Sequence, residues 1–441
     1  MPVSLEFVFM LVLNFVNQVV VGALGATAIA AVGFANSLTL ILLLTLGGLG
    51  ASVSILVARA HGAGRRSELD RTVSTALLIS VGAASLVAAP LVLWARTILS
   101  GTGASATVAA AGAAYFQITT LALVPSVLGA VLSGVMRSLG HARRPMVATI
   151  VTVALNAVLG YALVFGVGPM PTMGVAGAGW ATLIAALLKL AILLVQVYGR
   201  AHLVRWRYPT GWLRDRRSWQ PLIVLALPLA VTELCWSTGT FLYNVVVQRL
   251  GDNALAAAQI VNTLEAIFIV GSIGLMSATT ALVGRSIGQG DAAAAVAWAR
   301  RVLRAGVATG VLFGLLFATS ALLLSLLYPD VAESVRSAAG LGIVINAAFQ
   351  VVKVRNMIVG AGILPSGSDT RGVILGDAVA AFAVGLPLAI GLGLFTPLGI
   401  IGVFAARIIE ELVKAPIFAM RARKLPWQAL ADEQRHKVAA A

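Results

Sequence analysis

Long apolar runs follow one another along almost the whole of this chain of 441 residues. Each run is about 20 residues long, the length that an α-helix needs to cross the roughly 30 Å hydrocarbon core of a bilayer. The runs lack the short alternation of apolar and polar residues that is typical of membrane β-barrels. The pattern predicts twelve membrane-spanning helices, at about 2–22, 33–58, 72–95, 108–132, 145–165, 174–198, 221–248, 257–284, 302–327, 337–358, 372–393 and 398–420.

Composition agrees with an all-α polytopic membrane protein. Hydrophobic residues make up 59% of the chain and charged residues 11%, with a mean hydropathy of +0.97. A soluble domain carries about 25% charged residues. The chain therefore needs the lipid bilayer around it.

The basic residues lie mainly in every second connection between the runs. Of 31 Lys and Arg residues, 25 lie in alternate connections and the tail, and Arg96, Arg249 and Arg336 lie in the opposite connections. Positive charge accumulates on the cytoplasmic side of membrane proteins, so both termini are expected to be cytoplasmic. The same distribution explains the net charge of +15 without a nucleic-acid partner.

The chain repeats itself with an offset of 226 residues. Residues 2–64 align with 228–290 without a gap, with about 30% of positions identical, and Asn36 falls on Asn262. The repeat predicts a six-helix lobe at 1–200, a basic cytoplasmic linker at 201–220, a second six-helix lobe at 221–420 and a cytoplasmic tail at 421–441. Six spans return the chain to its starting side, so the lobes form a parallel repeat of the kind seen in rocking, alternating-access transporters.

Other energy sources and other chemistry have no signature in the sequence. No G-x-x-x-x-G-K-[ST] motif for ATP is present. The four histidines are scattered over polar segments, and the one cysteine, Cys235, lies within a predicted helix. We therefore expect no enzyme, no cofactor, no resident metal and no disulfide.

Ionisable groups inside the predicted spans are candidates for function, because each costs roughly 2.5–3.5 kcal/mol or more to place in a bilayer. Six acidic residues fall there, five of them in the second half: Glu6, Glu233, Glu265, Asp377, Glu410 and Glu411. Glu6 is close to the start of its helix, where we expect water to hydrate it.

Glu233 begins a polar stripe on an otherwise apolar helix. Ser237, Thr240 and Asn244 follow it at helical spacing, and such a stripe must face protein or water. Glu265 shares a helix face with Asn262, and Asp377 lies one turn into the eleventh span. A desolvated carboxylate binds a proton or Na+ readily; the alternative is that these acids only hold helices together by hydrogen bonds.

A second stripe joins Asn346, Gln350 and Lys353. Lys353 is either a counter-ion for the acids or a lysine that extends to the membrane surface. In the last helix two i, i+4 pairs are expected to be structural ion pairs, Arg407–Glu411 and Glu410–Lys414.

The first half has only a neutral counterpart of these stripes, made of Asn14, Asn17 and Gln18. In the fourth predicted helix, Pro125 is expected to produce a kink.

Several longer motifs occur in a fixed order. They are VVVGALGATAIAAVGFAN, G-x-x-R-x-x-G-x-x-x-x-P from Gly134 to Pro145, TELCWSTGTFLYNVVVQRLG, VNTLEAIF and KVRNMIVGAGILPSGSDT. In this order they resemble the multidrug and toxic-compound extrusion (MATE) family of bacterial type, over nearly the whole chain.

The resemblance implies a secondary active transporter in the bacterial inner membrane that acts as a monomer. Cationic or amphipathic small molecules would leave the cell in exchange for Na+ or H+. The family's cation-binding acids resemble Glu233, Glu265 and Asp377. The site-lining residues would be Thr240, Asn244, Asn262, Asn346, Gln350, Lys353, Asn14 and Gln18.

The chain departs from the family in its first half. Where members often have aspartates, this chain has Asn17 and Gly160, which places the expected cation site in the C-terminal lobe. Two alternatives stay open: a flippase for a lipid-linked precursor, and a membrane partner subunit that transports nothing.

Overall fold

The computed structural model of the protein describes residues 2–24, 26–101, 106–199, 203–206, 216–329 and 331–439. Over these residues the chain is almost entirely helical and contains no strand. Long apolar segments in a membrane form helices because a helix satisfies every backbone polar group within the segment itself.

The first half forms eight helices. They are α1 (Pro2–Gly22), α2 (Ala26–Gly62), α3 (Arg66–Leu93), α4 (Ala95–Gly101), α5 (Ala106–Leu121), α6 (Leu123–Ser138), α7 (Arg143–Phe165) and α8 (Val175–Tyr198). One predicted span is divided into α5 and α6, with the interruption at Ala122. Pro125 explains the interruption, because a proline ring clashes with the carbonyl group four residues before it, here that of Leu121.

The second half forms the remaining helices. They are α9 (Arg216–Arg249), α10 (Asp252–Gly288), α11 (Ala292–Ser320), α12 (Leu324–Leu327), α13 (Glu333–Ala348), α14 (Gln350–Ile358), α15 (Leu364–Ser366), α16 (Thr370–Ala378), α17 (Leu386–Leu394), α18 (Ile400–Arg423) and α19 (Trp427–Ala439). Two π-helical turns, Val359–Ile363 and Val379–Gly385, continue α14 into α15 and α16 into α17.

These helices confirm the twelve predicted spans. Nine spans in the described part of the chain are long and apolar enough to cross a membrane, and α13 with α14 forms a tenth that is bent by 52°. Helix α1 is apolar over Pro2–Leu13. Helix α18 is the twelfth span, and its apolar run is broken by the four charged residues from Arg407 to Lys414.

The chain divides into two compact units. One contains Pro2–His61 and Arg65–Ala230, and the other contains Val231–Ala441 with Gly62–Gly64. We call them the N-terminal and C-terminal lobes. The division falls inside α9, and much of the predicted linker 201–220 lies outside the described residues.

Each lobe has its own apolar core. In the N-terminal lobe, Val53, Val73 and Leu132 are fully buried where α2, α3 and α6 meet. In the C-terminal lobe, Ile343 and Phe317 are fully buried between α10, α11, α13 and α18. Polar side chains that enter these cores must therefore find partners there.

Helices α2 and α6 approach closely through small residues. The Ser138 hydroxyl on α6 donates to the Ser54 carbonyl on α2 at 2.8 Å. Gly134 lies one turn earlier on α6, and a Cβ added there would overlap the Ser54 hydroxyl and lie 3.1 Å from the Gly50 carbonyl oxygen. Small residues permit such close helix contacts in membranes.

Gly134→Ala is expected to lower the free energy of unfolding by about 1–3 kcal/mol, the usual cost of overpacking. Gly129→Ala on the same helix is the matched control, since its new Cβ would meet only Leu193, at 3.9 Å. Thermal unfolding of the two purified variants in detergent tests the contact. Equal melting temperatures would show that α2 and α6 can separate without cost.

Candidate functional site

One ammonium group in the C-terminal lobe faces three carboxylates. Lys414 Nζ lies 3.1 Å from Asp377 Oδ1, 3.3 Å from Glu411 Oε1 and 3.4 Å from Glu410 Oε1. Lys414 itself is 6% exposed. We call these four residues the Lys414 cluster. With all groups ionised, it holds two negative charges more than positive ones.

Neutral donors stabilise two of the three acids. Asn356 Nδ2 donates to Glu411 Oε2 at 2.7 Å and to the Glu411 carbonyl oxygen at 2.8 Å. The Tyr243 hydroxyl donates to Glu410 Oε2 at 2.7 Å. Asp377 has no hydrogen bond or ion pair to any described residue other than Lys414, and is therefore the least secured acid of the cluster.

The backbone of the eleventh span makes room for this network. Asp377 is on α16, and the π-helical turn Val379–Gly385 begins two residues later. At Gly385 the chain passes directly beneath the Tyr243 hydroxyl and Glu410, where a Cβ would overlap the hydroxyl. Widened helical turns of this kind are frequent at functional sites.

Glu233 lies near the Lys414 cluster without belonging to it. It is half-buried on α9, and it makes no hydrogen bond or ion pair within the described part of the chain. Its charge and that of Asp377 are close enough to repel each other. Further along α9, a Cβ added at Gly239 would lie 3.8 Å from the Ala381 side chain, so this helix packs against the π-helical turn.

The polar stripe on α9 is partly buried. Ser237 is buried, and Thr240 and Asn244 are half-buried. The Ser237 and Thr240 hydroxyls donate to carbonyl oxygens of their own helix. Exposed apolar residues flank the stripe or lie opposite it: Val231, Leu234, Trp236 and Phe241.

Lys353 pairs with Glu265. Its Nζ lies 2.5 Å from Glu265 Oε1 and 2.6 Å from Asn346 Oδ1, and Asn346 in turn donates to the Gly342 carbonyl oxygen at 2.8 Å. Both charged side chains are nearly buried, with 10% and 13% exposed. Lys353 thus has the geometry of a counter-ion and does not extend to the membrane surface.

Gln350 lies at the bend between α13 and α14. Its side chain is fully buried, and neither its amide nitrogen nor its amide oxygen has a hydrogen-bond partner among the described residues.

Of the two ion pairs expected on α18, the prediction of Arg407–Glu411 is wrong. Glu410 and Lys414 do pair, at 3.4 Å. Arg407, however, donates to Asn262 Oδ1 at 3.2 Å and lies over the Tyr243 ring, 5.4 Å from its centre. Tertiary partners on α9 and α10 therefore hold Arg407, while Asn356 and Lys414 hold Glu411.

The expectation that water hydrates Glu6 is also wrong. Glu6 is 2% exposed. Its carboxylate accepts from the Thr149 hydroxyl at 2.9 Å and lies 3.4 Å from Arg137 and 3.5 Å from Lys189. Arg137 lies within helix α6, one residue before its end.

The structure describes only part of the neutral stripe that is predicted in the first half. The side chains of Asn14 and Gln18 lie outside the described part of the chain. Asn17 and the buried Asn156 both approach Gly160, since a Cβ there would lie 3.9 Å from the side-chain oxygen of each.

Within the described residues, no group of three or more His, Cys, Asp or Glu side chains could hold a metal ion.

Comparison with known proteins decides the family. The family model MatE matches residues 2–162 and 228–365. The chain belongs to the multidrug and toxic-compound extrusion (MATE) family. It is 30% identical over 381 residues to a probable multidrug resistance protein NorM of Rhizobium meliloti (strain 1021), covering 85% of this chain and 81% of that protein.

Another relative and a solved structure are similar to this MATE chain over most of its length. The multidrug resistance protein NorM of Burkholderia vietnamiensis is 30% identical over 416 residues, which cover 91% of this chain and 87% of that protein. An outward-facing structure of a multidrug resistance MATE family transporter superposes with a TM-score of 0.88 at 19% identity, covering 97% and 94% of the two chains. At 19% identity, this last likeness shows the fold alone. Members of the MATE family are transporters and not enzymes.

Sequence patterns alone did not predict several residues of these hydrogen-bond and ion-pair networks. Asn356 continues the Asn346, Gln350 and Lys353 stripe by one more helical step, so the spacing could have found it. No spacing pattern marked Tyr243, because an aromatic residue in a membrane helix usually only packs against its neighbours. The cation-binding roles of Glu233, Glu265 and Asp377 stay a prediction.

Lys414→Met is expected to cost about 3–5 kcal/mol of unfolding free energy, because it leaves buried carboxylates uncompensated. Adding Asp377→Asn removes one of those charges, so the double variant should be less destabilised than the sum of the single variants. Melting temperatures of the wild type, both single variants and the double variant in detergent give the coupling. Lys424→Met, at an exposed lysine, is the control, and a Lys414→Met protein as stable as this control would contradict the charge balance.

Proposed function

We propose that this protein exports cationic and amphipathic small molecules by antiport with Na+ or H+, and that the coupling cation binds at Asp377 and Glu233 in the C-terminal lobe. The observation that carries the proposal is the excess of largely buried carboxylates in this lobe, where the Asp377, Glu410 and Glu411 side chains are 17%, 13% and 20% exposed. Asp377 has Lys414 as its one hydrogen-bonding or ion-pair partner in the described chain, and Glu233 has none.

The chemistry follows from charge balance. Two carboxylates that repel each other in a poorly solvated place gain most when a cation arrives between or on them. A proton or Na+ at Asp377 would release Lys414 toward Glu410 and Glu411, which already lie within 3.4 Å of it. Binding of the coupling cation would thus rearrange contacts between α16 and α18 within one lobe.

Glu265 fits a different role. Lys353 already neutralises its charge at 2.5 Å, so a cation would have to displace a bonded ammonium group. We propose that Glu265, Lys353 and Asn346 hold α10 against the bent span of α13 and α14 and line the pathway. Asn262, held by Arg407, would line the same pathway.

The relatives support the direction of transport. The proteins of Rhizobium meliloti and Burkholderia vietnamiensis are named multidrug resistance proteins, and export is how a membrane transporter confers resistance. We propose that the chain works as a monomer in a bacterial inner membrane with both termini in the cytoplasm, as its charge distribution predicts.

Glu233→Gln and Asp377→Asn are each expected to reduce efflux of a cationic dye from cells by at least about tenfold, since each removes a charge that the coupling cation requires. The readout is dye retention in cells that express equal amounts of folded protein. Glu333→Gln, at an exposed acid of the same lobe, is the control and should keep wild-type efflux. Normal efflux in both test variants would refute the assigned site.

The coupling ion is found by measuring efflux with and without Na+ at fixed pH, then across pH without Na+, with purified protein in liposomes. Dependence on either gradient supports antiport, and transport independent of both gradients contradicts it. Failure to move any solute would favour the partner-subunit alternative. Accumulation of a lipid-linked intermediate on gene deletion would favour the flippase.

A further inference from the structure

The N-terminal lobe contains a buried charge cluster of opposite sign. Glu6 on α1, Arg137 on α6, Thr149 on α7 and Lys189 on α8 come together, and we call them the Glu6 cluster. With one acid and two bases ionised, it has one positive charge in excess. The Lys414 cluster, by contrast, has two negative charges in excess.

The cations of the Glu6 cluster are incompletely neutralised. Both lie more than 3.3 Å from the carboxylate, at 3.4 Å for Arg137 and 3.5 Å for Lys189. Charge-assisted hydrogen bonds between such groups are usually about 2.7–2.9 Å long. Because both cations approach the same carboxylate, they also lie near each other, and their like charges repel. The cluster therefore has capacity for a second anion.

The cations are also the accessible part of the cluster. The Arg137 and Lys189 side chains are 20% and 18% exposed, whereas Glu6 behind them is 2% exposed. A cationic side chain deep in a span does not face lipid. Lys189 lies nine residues before the end of α8, about 14 Å along the helix, so its exposed part must face protein or water and not lipid.

We propose that Arg137 and Lys189 form a subsite for the carboxylate group of a transported molecule. The N-terminal lobe then recognises the anionic end of amphoteric substrates, which carry a carboxylate as well as a cationic centre. Guanidinium and ammonium groups are the side chains that bind carboxylates best. Glu6 orients the two cations through contacts of moderate length that an incoming carboxylate can supplement. The inference rests on the proposed export of small molecules.

Two dyes with one chromophore separate this proposal from the export function itself. Rhodamine B carries a free carboxylate, and its methyl ester lacks that charge. Efflux of both dyes is measured for the wild type, Lys189→Gln, Lys189→Arg and the control Lys424→Gln. In Lys189→Gln, Arg137 still pairs with Glu6, so the remaining charges of the Glu6 cluster sum to zero.

The readout is the ratio of acid efflux to ester efflux. We expect Lys189→Gln to lower this ratio roughly tenfold, the effect of losing one charge-assisted contact. Lys189→Arg should restore most of it, and Lys424→Gln should leave it at the wild-type value. An unchanged ratio in Lys189→Gln overturns the subsite, as does wild-type export of the ester alone. Export of neither dye by the wild type would instead refute the proposed export function.

A binding measurement on the wild-type protein needs no variant. Fluorescence anisotropy reports binding of each dye to purified protein in detergent. Potassium benzoate, compared with potassium chloride at the same ionic strength, should weaken binding of rhodamine B at least about threefold more than binding of its ester, because the probe and benzoate compete for one carboxylate subsite. Equal effects on both dyes would overturn the proposal.

Discussion

The free-energy cost of placing charge in a membrane controls the arrangement of this protein. Any ionised group within a span must find a partner or lose its charge, and the Lys414 cluster meets that requirement incompletely, with three carboxylates around one ammonium group. Hydrogen bonds from Asn356 and Tyr243 to two of the acids compensate in part. What remains uncompensated is concentrated at Asp377 and Glu233, which is why we propose that the coupling cation binds there.

The two lobes show how one fold position can serve different chemistry. Asn36 and Asn262 occupy equivalent positions of the sequence repeat, and each accepts a hydrogen bond through its side-chain oxygen. The donor is Tyr115 in one lobe and Arg407 in the other. The asparagine side chain thus accepts a hydrogen bond in both lobes, while the donor is neutral in one and charged in the other.

Much of the fold could be predicted from the sequence, because twelve apolar runs leave a membrane chain few alternatives. The acids of the candidate site were visible for the same reason, as rare charges in apolar surroundings. Their partners were harder to predict. Arg407 and Glu411 are neighbours on one helix, yet Asn262 and Tyr243 on other helices hold Arg407. Glu6 looked peripheral because its distance along α1 is short, whereas α6, α7 and α8 cover it in three dimensions.

The π-helical turn in the eleventh span also fixes the rotational phase of that helix. In an uninterrupted α-helix, residues seven apart lie within about 20° of each other, and residues eight apart differ by about 80°. Asp377 and Gly385 are eight apart, yet both lie against α18, beside Lys414 and Glu410 respectively. The extra residue of the wide turn absorbs the difference. The acid network is therefore specified by the number of residues between these positions as well as by their identity, and a one-residue deletion there would rotate Asp377 away without altering any acid.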